Sequence, residues 1–492
     1  MNILISQVHY IMVQNKDVMK NLTKSNFLTY LDAPMHLWAD DNNKFEKPLT
    51  VYDQHLLQEG YKVEKLAKEY LQNFVHNNPQ FKLIWQSTYN DKNYEAKADA
   101  LIHNTETNSY DIYEIKSSTS VDKTNLYDAT FQYLVLNKHI KINKVHILHL
   151  SAEYTRFGAL NIDSLFVAED ITDKVKELLQ DVDIERERAL LVLNSENHFN
   201  IEACYNPKNC RCKSLCHKDK PTFSIFDIPN LTKKKKKQLL EMGVTQAQDI
   251  PNNFKLSYKQ NLVKEVAKTN EPIIDHSAIQ HELENLAYPL YFLDYETYNS
   301  AIPLHDGYHP QQQMVFQYSL HKLEHPNAEL THTEYLATNT NEPGSNLLKQ
   351  LKRDIGNTGS VLVWNKTFEA TRNKELAEIH PEFSDFLLDI NERMYDLADP
   401  IKEGFYVHPL FRGIWSIKNV LPVMVPNLSY KNLTVNKGDQ AMITWWNMIT
   451  NAGTSADETA KDLLDYCELD TLAMVEIYRK FSETVKNNND KL

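Results

Sequence analysis

Residues 94–116 read YEAKADALIHNTETNSYDIYEIK, two runs of alternating apolar and polar residues around a polar turn at Asn104 to Asn108. A period of two marks half-buried strands, and a short turn makes them antiparallel neighbours. With FKLIWQSTY (81–89) before them, they predict a β-meander over 81–116. Apolar residues at helical spacing flank it at 50–75 and 126–137, and KVHILHLSA (144–152) adds a strand. Strands set between helices predict an α/β unit.

A second α/β pattern starts at residue 288. YPLYFLDYET reads as a buried strand, and QQMVFQYSLHKL, LTHTEYLA and SVLVWN as further strands. EATRNKELAEI (369–379) and DLLDYCELDTLAMVEIYRKF (462–481) read as helices. Between the two patterns, Asn230 or Thr232 can cap a helix through Lys233, Lys234, Lys235, Lys236 and Lys237, which Gly243 stops. That basic face either touches a phosphate backbone or is simply solvated. The expected organisation is a leader (1–20), an α/β domain (21–220), a small helical connector (221–285) and a second α/β domain (286–492), with mixed sheets in both.

The chain has 492 residues, of which 53 are Lys or Arg and 66 are Asp or Glu, a net charge of −13. That balance excludes a simple basic nucleic-acid coat, yet suits metal-dependent chemistry, which needs acidic residues. No run of about 18 apolar residues occurs, so no membrane span is expected. The opening MNILISQVHYIMVQNKDVMKNL lacks a basic n-region and a continuous apolar stretch, so it does not read as a secretory signal. Five cysteines are too few for a disulfide scaffold, and a cytoplasmic location is expected.

In the first domain, alternation puts Glu114 and Lys116 on one face of a strand with Ile115 in the core, and the antiparallel neighbour brings Asp99 beside them. Two carboxylates and a backbone carbonyl can hold Mg²⁺ or Mn²⁺, which prefer oxygen ligands. Lys116 can orient water or stabilise the charge developing on a phosphorus centre. The competing reading is an exposed cross-face pair worth ~0.2–1 kcal/mol.

In the second domain, FLDYET places Asp294 and Glu296 on one face of a buried strand. Unpaired buried carboxylates are costly, and a divalent cation would resolve that cost. Asn365-Lys366-Thr367-Phe368-Glu369 ends one strand and opens a helix. Tyr466 and Asp470, at i and i+4, face one way, so the hydroxyl can position water while Asp470 completes a metal shell. Asp396 is an alternative ligand, and Arg372, His408 and Arg412 are candidate phosphate contacts. The competing reading makes Tyr466 core and Asp470 surface.

Four cysteines fall within thirteen residues as Cys204-x5-Cys210-x-Cys212-x3-Cys216. Thiolates so spaced can hold an iron–sulfur cluster or Zn²⁺, with His217 as a further donor, or they are leftover thiols of a lost metal site. The remaining one, Cys467, is expected to be a small core residue.

The Asp99, Glu114 and Lys116 set resembles the PD-(D/E)XK nuclease signature, in its RecB-like branch. That likeness implies a metal-site role for Glu64 on the upstream helix and a catalytic role for Gln132 on the following one. Leu136 stands where the branch carries a tyrosine, and Gln86 where relatives often carry an acid. The cysteines resemble the [4Fe–4S] staple of the AddB and CRISPR-adaptation nucleases, whose N-terminal helix supplies the fourth cysteine. The matching segment here is LTKSNFLTYLDAPMHLW, with Ala33 in the cysteine's place and Cys212 as an extra thiol. The second domain resembles DnaQ-like 3′–5′ exonucleases of the RNase H-like fold, with Glu369 where that group has Asp.

Taken whole, the chain resembles a bacterial family of uncharacterised proteins that joins these two nuclease types. The resemblance implies a restriction-endonuclease-like fold followed by an RNase H-like fold. It implies a Mg²⁺- or Mn²⁺-dependent nuclease with two sites, acting on DNA rather than RNA, at single strands or ends, in repair, end processing or defence. The alternative is a nucleic-acid-binding or regulatory protein with one or both sites silent, which Ala33, Leu136 and Glu369 favour.

Overall fold

The computed structural model describes residues 19–46, 49–451 and 456–489. Most of the expected leader, residues 1–18, lies outside the described residues. The chain divides into two compact units. The first holds residues 19–46, 60–152 and 161–218; the second holds Leu49–Glu59, Glu153–Leu160 and the chain from Asp219 onward. Residues 221–285, expected as a separate connector, therefore cluster with the second unit. Both units are α/β with mixed sheets.

In the first unit, β1 (Leu22–Thr23), β2 (Phe81–Asp91), β3 (Tyr94–Asn104), β4 (Ser109–Lys116), β5 (Ile142–Leu150) and β6 (Phe166–Asp170) form one sheet. The meander β2–β3–β4 is antiparallel, as its turns require; β4 and β5 run parallel across the Lys123–Leu136 helix. Trp85 pairs with Ala100 and Ser87 with Ala98, which sets Gln86, at φ +51°, opposite Asp99. Phe27, Phe131, Val135, Ile147 and Val182 join helices and sheet in one core.

In the second unit, β7 (Ile273–Ile274) forms a small ribbon with a strand near residue 406, named below. The main sheet contains β8 (Leu290–Asn299), β9 (Gln313–Leu323), β10 (Thr331–Leu336), β11 (Ser360–Val363) and β12 (Met394–Asp396), in the order β10-β9-β8-β11-β12. β8 to β10 are antiparallel, and β8, β11 and β12 parallel. The partner of β7 is β13 (Tyr406–Val407).

Alternation along β8 decides what each face does. Tyr291, Leu293 and Tyr295 enter an apolar core with Leu347, Leu376 and Leu387. Phe292 enters the opposite core with Met474 and Phe481 of the long Ala456–Asn489 helix, and Asp294 and Glu296 share that face. The five lysines lie on the Lys233–Glu241 helix, capped by Thr232, whose side chain accepts from Lys235 N–H. Leu239 anchors that helix in a small core with Ile225, Val263 and Val266. No described helix is long and apolar enough to cross a membrane.

Candidate functional site

Two groups of acidic side chains form, one in each unit. In the first, Glu114 is fully buried, whereas Ile115 is partly exposed, the reverse of the expectation that Ile115 would be core. Glu114 faces inward because donors surround it. Lys116 Nζ donates to Glu114 Oε1 at 2.8 Å and to Asp128 Oδ2 at 2.7 Å. Gln132 Nε2 donates to Glu114 Oε2 at 2.7 Å and to Asp128 Oδ1 at 3.0 Å. Asp99 Oδ2 accepts the Ile115 N–H at 3.0 Å, so the strands do bring Asp99 beside Glu114.

Two members had no local signal in the sequence. Asp128 is buried on the Lys123–Leu136 helix, and Lys24 comes from the N-terminal Lys24–Asp32 helix. Lys24 Nζ lies 2.7 Å from Glu114 Oε1, 3.7 Å from Asp99 Oδ1 and 4.0 Å from Asp128 Oδ1. It stands where a cation bridging Asp99 and Glu114 would stand. Burial opposes charge on Glu114, but Lys116 and Lys24 outweigh it and hold its carboxyl below the ordinary range. Burial and the Glu114 charge push Asp99 up to about 7 and Asp128 up to about 6. Glu64 is bonded instead to Gln86 Nε2 on β2.

In the second unit, Asp294, Glu296, Glu369, Tyr466 and Asp470 line one cavity of about 200 Å³, with Trp364, Asn365 and Phe368 on its wall. The expected set therefore converges. Asp294 and Glu296 come from β8, Glu369 from the first turn of the Lys366–Ile379 helix, and Tyr466 and Asp470 from the long C-terminal helix. That middle helix starts at Asn365, whose φ of +125° is a strained value for a residue with a side chain. Glu369 Oε2 is buried with no hydrogen-bond partner among the described residues.

Burial raises all four carboxyls, and repulsion from the other site carboxylates adds to it at Asp294 and Glu296. Asp294 is pushed well up by burial, then by Asp470, Glu296 and Glu369. Glu296 rises by burial and by Asp470, against the pull of Lys418. Burial also raises Asp470 and takes Glu369 up to about 8. Like charges packed at this density stay protonated or gather a cation.

Lys418, Tyr430 and Cys467 were missed as site residues. Lys418 Nζ donates to the Tyr466 hydroxyl at 2.7 Å and lies over the Tyr466 ring. The Tyr430 hydroxyl donates to Asp470 Oδ1 at 2.5 Å. Cys467 is buried as expected, but its thiol sits 3.8 Å from Asp294 Oδ2, within the site. The D-x-E strand and the Y-x3-D helix gave the carboxylates a signal; a lysine and a tyrosine in irregular sequence gave none.

Other candidates have structural partners. Asp396 accepts from Lys402 Nζ, Lys366 N–H and Ala398 N–H, which ties it to its own turn. Arg372 forms a two-point pair with Glu375 and lies over the Phe368 ring. His408 Nδ1 accepts the Leu410 N–H, and Arg412 occupies a left-handed turn position. Lys233, Lys234 and Lys237 are exposed, and Lys236 lies over the Phe226 ring. A larger cavity of about 310 Å³, near Val263, Tyr406, Phe411 and Trp415, has no carboxylate among its described lining residues.

The four clustered cysteines are brought together in the first unit. Cys210, Cys212 and Cys216 offer sulfurs within 4.8 Å of one another, and Cys204 and Cys210 do so with His36. Ala33 is buried one turn before His36, at the break between the two N-terminal helices. Thiols and an imidazole form a soft donor set that fits a transition metal.

The family described as a domain of unknown function (DUF2779) matches residues 291–416. That span includes Asp294, Glu296 and Glu369 and stops short of Lys418, Tyr466 and Asp470. The chain is similar to an uncharacterized protein of Ureaplasma parvum, 29% identical over 282 residues, which are 52% of this chain and 38% of that protein. It is also similar to an uncharacterized protein of Mycoplasma genitalium, 27% identical over 221 residues, 40% of this chain and 32% of that protein. The chain thus spans under two fifths of the length of these curated relatives. The crystal structure of SSO0001 aligns with 40% of this chain and 95% of that chain at 9% identity, with a TM-score of 0.21.

Proposed function

We propose that the chain is a metal-dependent nuclease whose principal active site is the acidic cavity of the second unit. One observation carries the reading: four carboxylates on three separate elements line a single small cavity, and Lys418 is the cation among its described lining residues. Nothing in packing rewards that concentration of like charge, whereas Mg²⁺ or Mn²⁺ would. Asp294, Glu296, Glu369 and Asp470 would hold it. A divalent cation bound there would polarise a phosphodiester and lower the pKa of a bound water, so that the hydroxide left by proton loss is the nucleophile.

The chain's own residues supply the rest. Lys418 orients the Tyr466 hydroxyl, which positions the attacking water. Tyr430 fixes the Asp470 carboxylate. Trp364 and Phe368 give the cavity aromatic walls on which an unpaired base can stack, which favours single strands or frayed ends. The mixed sheets accord with the restriction-endonuclease-like and RNase H-like folds that the sequence resemblance implies; DNA is the substrate that the same resemblance implies.

At the first unit's site, Lys24 favours a second reading. An ammonium already pairs with Glu114 and lies 3.7 Å from Asp99, in the place a cation would take, so in this reading the site contacts nucleic acid without cutting it until Lys24 is displaced. The test is digestion of end-labelled single- and double-stranded DNA and RNA with Mn²⁺. Asp294→Ala should abolish most cleavage, and Lys116→Ala should leave it largely intact. Unchanged digestion by Asp294→Ala would sink the proposal.

A further inference from the structure

The segment around the cysteines has little backbone structure of its own. Residues 201–212 form neither helix nor strand, yet Cys204, Cys210 and Cys212 are buried. They pack against Ala33, Met35, Trp38 and Ala39 of the N-terminal helices. Met35 N–H donates to Glu202 O, and Glu46 N–H to Arg211 O, so the loop is clasped to that helical region on both sides. All five cysteines are free thiols. A loop that buries thiols without regular hydrogen bonding is what a metal staple organises.

His36 has the geometry of a ligand. Its Nε2 lies 3.4 Å from Cys210 Sγ, and it groups with Cys204 and Cys210. Its Nδ1 lies 2.5 Å from Asp32 Oδ2, one helical turn back. A carboxylate on the far ring nitrogen fixes the tautomer and turns the other nitrogen's lone pair toward a metal. The sulfur spacing gives the ion's nuclearity. Thiolates about 2.3 Å from one tetrahedral zinc lie about 3.8 Å apart. The donor atoms of His36, Cys204 and Cys210 all lie within 4.8 Å of one another, and those of Cys210, Cys212 and Cys216 do the same. A four-iron cluster spreads its thiolates more widely, because each sits on a different iron.

We infer that the cysteine cluster holds a single zinc ion, and that His36 supplies a ligand to it from the N-terminal helices. Cys204 and Cys210 complete the group around His36, and the fourth donor comes from the Cys212–Cys216 pair. Asp32 is a positioning residue that acts through the His36 ring. The role is structural, joining the ends of the first unit. It rests on none of the acidic-site observations, and it stands whether or not the chain cuts nucleic acid.

The test is metal analysis of the full chain purified anaerobically without added metal, followed by cobalt exchange. The expected result is one zinc per chain, no iron or acid-labile sulfide, and a cobalt form with the visible bands of tetrahedral mixed nitrogen and sulfur ligation. His36→Ala should lose most of its zinc. Because that variant can also misfold, His36→Cys is the second: it should keep one zinc, with its cobalt bands moved to lower energy as sulfur replaces nitrogen. Asp32→Asn should weaken zinc binding about 10- to 100-fold. Iron and sulfide with a visible chromophore would overturn the inference. So would a chain without metal, or a His36→Cys cobalt spectrum identical to the parent's.

Discussion

Lys24 Nζ donates to Glu114 Oε1 at 2.7 Å across a sequence separation of 90 residues. Glu114 is fully buried, so this ammonium and that of Lys116 are what allow it to stay charged. Removing one partner of a buried pair leaves an uncompensated charge. Lys24→Met should destabilise the protein by about 3 kcal/mol in chelator, by analogy with broken buried pairs. The same change clears the place a cation would occupy, so Mn²⁺ should restore most of the loss. Urea unfolding with EDTA and with Mn²⁺ checks both halves. A loss that Mn²⁺ leaves untouched would make Lys24 purely structural.

Gln132 bridges two carboxylates through one nitrogen. Gln132→Leu keeps the bulk and removes the donor. It should cost about 1–3 kcal/mol, the usual penalty for stranding buried acceptors. Gln132→Glu should cost more, because it adds a fourth acid to Asp99, Glu114 and Asp128. Denaturation midpoints of the two variants beside the parent rank the effects; a Gln132→Leu midpoint equal to the parent's would show that the amide contributes no donor.

The two units were legible to different degrees. Residues 81–116 folded as the alternation demanded, and the spacing of Tyr466 and Asp470 set both on one face of a helix. Those signals are local, so a sequence displays them. Lys24, Asp128 and Lys418 join their sites only through packing between elements far apart in the chain. A lone lysine or aspartate carries no mark of that. Glu64 shows the converse: its place in a motif suggested a ligand, but Gln86, turned by its positive φ, is the partner it meets. Ile115 was misread because alternation gives two faces without saying which is buried. The face lined by Lys24, Lys116 and Gln132 could accept an acid, and Glu114 took it.

Stability should depend on pH through Glu369. Burial, with Asp396 adding to it, takes this carboxyl from 4.5 to about 8. Between those values the unfolded chain has lost a proton that the folded chain keeps. Metal-free stability should therefore fall as pH rises through that window, by an amount of order a few kcal/mol, and level off above it. Glu369→Gln should make the profile shallower by the part this carboxyl contributes, and Mn²⁺ should reduce the slope further. Thermal unfolding from pH 5 to about 9 with EDTA follows this; a metal-free profile that rises across the window would refute it.

Lys418 has two effects that pull apart. Its charge lowers the cost of ionising Glu296 and Asp470, and its ammonium holds the Tyr466 hydroxyl. Lys418→Met removes a cation that competes with a metal, so Mn²⁺ affinity should rise. It also frees the hydroxyl, so cleavage at saturating Mn²⁺ should fall about 10- to 100-fold, as for a misplaced positioning group. Single-turnover rates measured beside metal affinity separate the two. Loss of both together would mean that Lys418 only supports the fold.

The central claim is that the Asp294, Glu296, Glu369 and Asp470 carboxylates gather a divalent cation, and isothermal titration with Mn²⁺ tests it most directly. The parent should show saturable binding that the Asp294→Asn, Asp470→Asn double variant lacks, while that variant, relieved of like charge, melts no lower than the parent in EDTA. Equal Mn²⁺ binding by the two proteins would contradict the account.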